Sequence, residues 1–135
     1  MNDSDIKRIL ATARTIAVVG LSSDPSKPSH DIAHYLQRQG YRIIPVNPTL
    51  HEALGETAYP DLISVPDKVD VVQVFRRSED VPPIVDQAIQ IEAQVVWLQE
   101  GIRNDDAAKK AEAAGLDVVM DRCMRALHRR LIGEH

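Results

Sequence analysis

The stretch "VVGLSSDPSKPSHDIAHYL", Val18 to Leu36, is where the fold is decided. Val18 and Val19 end an apolar run, Gly20 turns the chain, and a polar loop carrying Pro25, Lys27 and Pro28 leads into "SHDIAHYLQRQG". In that segment Ile32, Ala33 and Leu36 fall on one helical face, Ser29 stands where an N-cap is expected, and Gly40 stands where the helix should stop. Strand, loop and helix in that order form the opening unit of an α/β sheet, and the helix start offers free backbone N–H groups to an anion. A site for NAD carries G-x-G-x-x-G in this turn and an acidic residue at the end of the second strand. Here Gly20 is followed by L-S-S-D-P-S-K-P-S, and the second strand ends at Asn47. The helix opens on Pro28-Ser29 rather than on the G-K-[ST] of a phosphate-cradling NTPase loop. Neither signature is present, so the loop calls for another ligand.

Working outward, apolar runs of strand length recur: "TIAVVG" (15–20), "YRIIPVN" (41–47), "DVVQVF" (70–75), "VVWL" (95–98) and "LDVVM" (116–120). They are continuous rather than alternating, as in strands covered by helices on both faces. In "VPPIVDQAIQIEA", Pro82 and Pro83 suit a first helical turn, and Ile84, Val85, Ala88 and Ile91 make the apolar stripe. "NDDAAKKAEAAG" has Asn104 to cap, early acids to match the helix dipole and Gly115 to stop. Further helices are expected before the first strand, about 3–13, and after the last, about 122–131. Between the second and third strands, Pro48, Pro60 and Pro66 leave room only for short helical turns. The expected fold is one domain over residues 1–135: a doubly wound, five-stranded parallel sheet of order 3-2-1-4-5 with helices on both faces.

Composition bounds the partners. With 135 residues and 44% hydrophobic content the chain fits one closed core, and its formal charge of −4 argues against a general nucleic-acid surface. The one cysteine, Cys123, rules out an internal disulfide, and no Cys/His set has zinc-site spacing. No run approaches the roughly 18 apolar residues of a membrane span, and the N-terminus lacks a secretory core, so a cytosolic, reducing setting is expected. Association as a homodimer or on a protein partner stays open.

In wound sheets the ligand lies over the carboxyl ends of the strands, near the reversal of winding. Ser22, Ser23, Lys27 and Ser29 follow the first strand, Asn47 and Pro48 the second, and Arg76 and Arg77 the third. Gln99, Gly101 and Arg103 follow the fourth, and Arg122 and Arg125 the fifth. Cations on four of five strand ends, beside helix starts, describe a site for a compact, multiply phosphorylated ligand; solvated loop charges are the plainer account.

The blocks "GLSSDPSKPS" (20–29), "PVNP" (45–48), "VFRR" (74–77), "WLQEGI" (97–102) and "MDRC" (120–123) resemble, in this order, the small single-domain CoA-binding proteins. These have a Rossmann-like fold similar to the N-terminal domain of the succinyl-CoA synthetase alpha subunit, and the likeness covers about residues 12–124. It implies coenzyme A, or an acyl-CoA, as ligand. Gly20, Ser22, Lys27, Pro28 and Ser29 would approach its phosphates, with Asn47 and Pro48 beside the adenosine. Phe75, Arg76 and Arg77 would form the other wall, and Gln99 and Gly101 would lie nearer the pantetheine; Arg122 joins the expected binding set from its place after the fifth strand. Lys27 or Arg76 would take the 3′-phosphate. The ligase subunit transfers phosphoryl groups through a histidine in a second domain, for which 135 residues leave no room, so a non-catalytic binding module is implied.

The remaining chemistry-bearing residues have plainer readings. His30 and His34 share a helical face in "HDIAH", but no third metal ligand is evident. Cys123 sits just past the last strand, where Arg122 and a helix start could lower its pKa; the default is an inert, half-buried thiol. The alternative functions are an enzyme on an acyl-CoA or nucleotide substrate and a redox role through a Cys123–CoA mixed disulfide. No nucleophile, base and orienting acid stand at recognisable spacing, so no catalytic residue is assigned.

Overall fold

The computed structural model describes residues 1–134. Helix α1 (Asp3–Thr12) is capped by Asn2, whose side chain accepts from the Asp5 amide at 2.9 Å. Then follow β1 (Thr15–Val19), α2 (Pro28–Arg38), β2 (Arg42–Val46), the short strands β3 (Glu52–Ala53) and β4 (Glu56–Thr57), and β5 (Val71–Val74). Helix α3 (Val81–Gln90), β6 (Val95–Leu98), α4 (Asp105–Ala113), β7 (Asp117–Val119) and α5 (Met124–Leu131) complete the chain. The five long strands are parallel throughout, which makes the fold the expected Rossmann-like α/β sheet. One face packs Ile6, Leu10, Leu36 and Leu127 from α1, α2 and α5; the other packs Val85, Ala88 and Ala111 from α3 and α4. Among the described residues no helix is long and apolar enough to cross a membrane.

The strand order differs from 3-2-1-4-5. The sheet runs β2-β1-β5-β6-β7, so the third long strand lies beside the first and the second is an edge. Pro45 explains the difference. Its carbonyl accepts from the Tyr59 amide on the outer side of β2, so its missing N–H faces outward too, where no ladder requires it. An interior β2 would have lost a hydrogen bond there. Meanwhile β5 is buried along its whole length and needs a neighbour on each side.

Local details differ as well. Lys27, not Ser29, is the N-cap residue of α2, because Pro28 occupies the first helical position; the Ser29 hydroxyl instead accepts from the Ser22 amide at 3.0 Å. The stretch between β2 and β5 makes a β3–β4 hairpin as well as turns, and α5 begins at Met124 rather than near Arg122. Pro82 and Pro83 lie in the first turn of α3, and Asn104 caps α4 by accepting from the Ala107 amide at 3.0 Å, both as expected.

Tyr41 gives a pH-dependence. It is buried beneath α1 with its hydroxyl donating to the Leu10 carbonyl, and burial pushes its phenol from 10 up to about 12. The fold holds the neutral phenol, so this contribution is complete below pH 10 and is lost as pH rises through about 12. Denaturant unfolding across that range should show a loss of about 2–3 kcal/mol that Tyr41→Phe lacks. Parallel pH profiles for the two proteins would contradict this.

Candidate functional site

The winding reverses between β1 and β5, and the carboxyl ends of those strands open on a pocket of about 270 Å³. Gly20 forms its floor. Its φ is +91°, and a Cβ there would lie 2.7 Å from the Phe75 carbonyl oxygen and 3.0 Å from the Arg76 Cδ, so only glycine lets the two strand ends meet this closely. Gly20 is tied to β2 as well, its amide donating to the Val46 carbonyl at 2.9 Å.

The loop after Gly20 is held by its own polar groups. Asn47 at the end of β2 donates from Nδ2 to the Leu21 carbonyl at 3.0 Å and accepts from Thr49 through Oδ1. Ser22 Oγ accepts from the Asp24 amide, and hydrogen bonds from the Ser26 amide and hydroxyl hold the Asp24 carboxyl below its ordinary value. This scaffold fixes where α2 begins, with Lys27 and Pro28 exposed at its start. Asp31 in its first turn is spoken for: Arg125 donates to it at 2.8 Å and keeps its carboxyl below the usual range.

Arg76 reaches over Gly20 and lines the pocket, half-exposed, 3.8 Å from Asp80. Arg77 is more exposed and pairs with Glu79 at 3.1 Å and Asp80 at 3.5 Å. Such exposed pairs contribute under about 1 kcal/mol, so an arriving phosphate can draw Arg76 away from Asp80 at little cost.

Of the residues expected at the site, Gly20, Pro48 and Arg76 line this one pocket; Ser22, Lys27, Pro28 and Ser29 lie on the adjoining loop and helix start. Phe75 is half-buried, its ring packed against the α1/α2/α5 core. Gln99 is buried, and its Oε1 accepts from the Met124 amide and from Gln73. Gly101 sits in an exposed turn closed by Asp121. Arg122 lies apart: it lines a second pocket, beside β7, with Met1, Arg103 and Glu112. Of the rim arginines only Arg76 faces the switch-point pocket, so the cations are spread along the edge rather than gathered.

Cys123 is half-buried at the start of α5 and makes no side-chain cap hydrogen bond. Among the described residues no three His, Cys, Asp or Glu side chains are grouped to hold a metal ion.

Three polar pocket residues escaped the sequence reading: Asp61 in the loop after β4, Asp80 just before α3, and Gln87 on α3. The available signal was Gln87 itself, a polar residue one turn after Ile84 in an otherwise apolar stripe.

Comparisons with known proteins agree with this architecture. The chain is 42% identical over 125 residues to the uncharacterized protein YneT of Bacillus subtilis, covering 93% of each. It superposes on a hypothetical protein from Pyrococcus horikoshii with a TM-score of 0.96 at 41% identity, covering 98% of this chain and 94% of that one. It is 31% identical over 85 residues to an ADP-forming acetate–CoA ligase of Archaeoglobus fulgidus, a match over 62% of this chain and 13% of the ligase. Residues 14–129 match the family described as CoA binding domain, and the chain belongs to that family.

Proposed function

We propose that this chain binds coenzyme A, or an acyl-CoA, at the carboxyl edge of the sheet and acts as a binding module without chemistry of its own. The observation that carries the reading is the apolar pocket at the switch point, closed by Gly20 and flanked by Arg76. The adenosine enters that pocket beside Pro48. Its phosphates then meet Arg76 and the exposed start of α2, where Lys27 and the unpaired amides of the first turn attract anions. A cofactor with a pyrophosphate and a ribose 3′-phosphate calls for such cations and for no acid directed at the ribose hydroxyls. The absence of an acid at Asn47 supports CoA over NAD.

Titration calorimetry with CoA, dephospho-CoA, ATP and NAD tests this. CoA should bind most tightly, and Arg76→Ala should weaken it about 10- to 100-fold, the value of one charge-assisted phosphate contact. The loss should shrink at high salt, because Arg76 is half-exposed and its field is screened. Preferential binding of NAD, or no binding of CoA, would overturn the reading.

A further inference from the structure

The pocket contains two acids where a phosphate site would avoid them, and only Asp80 is paired with Arg76. Asp61 lines the pocket with no basic partner within ion-pair distance among the described residues. Its Oδ1 is occupied, accepting from the Ser64 amide at 2.9 Å and the Ser64 hydroxyl at 2.7 Å, which leaves Oδ2 as the open acceptor. Gln87 lines the same pocket from α3, and its amide has a defined orientation because Oε1 accepts from the Leu62 amide at 3.0 Å. Nε2 is then the end left to donate, and among the described residues it donates to none. One oriented donor and one open acceptor therefore lie in the same pocket as the apolar side chains of Ile84, Pro60 and Leu62.

We infer that Asp61 and Gln87 read the edge of the purine base. This rests on the CoA reading and adds to it the residues that choose the base. Adenine presents an exocyclic amine, a donor, beside ring nitrogens that accept. Asp61 Oδ2 accepts a hydrogen bond from the amine N–H, and Gln87 Nε2 donates to a neighbouring ring nitrogen. The flat ring lies between the proline and aliphatic side chains. A 6-oxopurine in the same seat sets a carbonyl oxygen against the carboxylate, so the carboxylate loses its donor and two acceptors oppose each other. The negative charge of Asp61 also repels the phosphates, which favours their placement at Arg76, whose partner Asp80 they displace.

The test is calorimetry of the full chain with CoA and with a CoA analogue in which hypoxanthine replaces adenine. The unmodified protein should prefer CoA by about 10- to 100-fold. Asp61→Asn can donate to the 6-oxo group and should bring the ratio close to one. Gln87→Glu keeps an acceptor for the Leu62 amide but loses the donor, and should lower CoA affinity about tenfold or more while the ratio also falls. A purely structural or charge effect would weaken both ligands alike and leave the ratio intact. Equal affinity of the unmodified protein for the two ligands would overturn the base-reading role while leaving CoA binding in place. Binding of neither ligand would overturn both readings.

Discussion

Gly20→Ala is expected to cost about 2–5 kcal/mol of stability and to remove the CoA binding proposed for this pocket. Two effects add. A Cβ at φ +91° costs about 1–2 kcal/mol from its own backbone conformation. A methyl 2.7 Å from the Phe75 carbonyl must then push β5 away from β1, and overpacking of this kind costs about 1–3 kcal/mol. Gly101 separates the two. Its φ is +87°, but nothing lies within 4 Å of where its Cβ would stand, so Gly101→Ala should show the backbone effect alone. Urea unfolding of both variants measures the difference. Binding should be lost only in the first, because displacing the end of β5 moves Arg76 off the pocket. If the two alanines cost the same, close approach at the switch point is not what requires glycine at position 20.

The buried strands were legible because continuous apolar runs such as "VVQV" have no other stable place than between two helical layers. The helix starts at Pro82 and Asn104 were legible because proline and asparagine act within one turn of themselves. Neighbour relations were harder. The order of strands turns on Pro45, one residue in "YRIIPVN" whose missing N–H marks β2 as an edge, whereas strand–helix alternation alone does not set which strands are neighbours. Asp61 and Gln87 are 26 positions apart, and only the passage of the chain through β5 and back along α3 brings both to one pocket. Arg122 failed to join Arg76 for the converse reason. Every strand end lies on the same edge, but that edge is five strands wide, and β7 is two strands away from β5.

Gln99→Leu should be a severe core substitution although glutamine at a strand end looks like a binding residue. Its Oε1 accepts from the Met124 amide at 2.9 Å and from Gln73 Nε2 at 3.1 Å, and all three groups are buried. Leucine has similar volume but no acceptor, so two buried donors lose their partner at about 1–3 kcal/mol each, for a total of about 2–6 kcal/mol. The start of α5, with Cys123, should loosen with it. Gln73→Leu should behave differently. Gln73 is fully buried on β5, and its own Oε1 has no hydrogen-bond partner among the described residues. Replacing it removes an orphaned acceptor together with one donor, so the cost should stay within about 1 kcal/mol or become a gain. The double variant leaves only the Met124 amide unpaired, and should therefore be more stable than Gln99→Leu alone. Chemical denaturation of the four proteins closes this cycle. A Gln73→Leu loss as large as that of Gln99→Leu would mean that the Gln73 oxygen is satisfied in solution, as by a buried water, and that the polar pair under α5 is a complete network rather than a half-filled one.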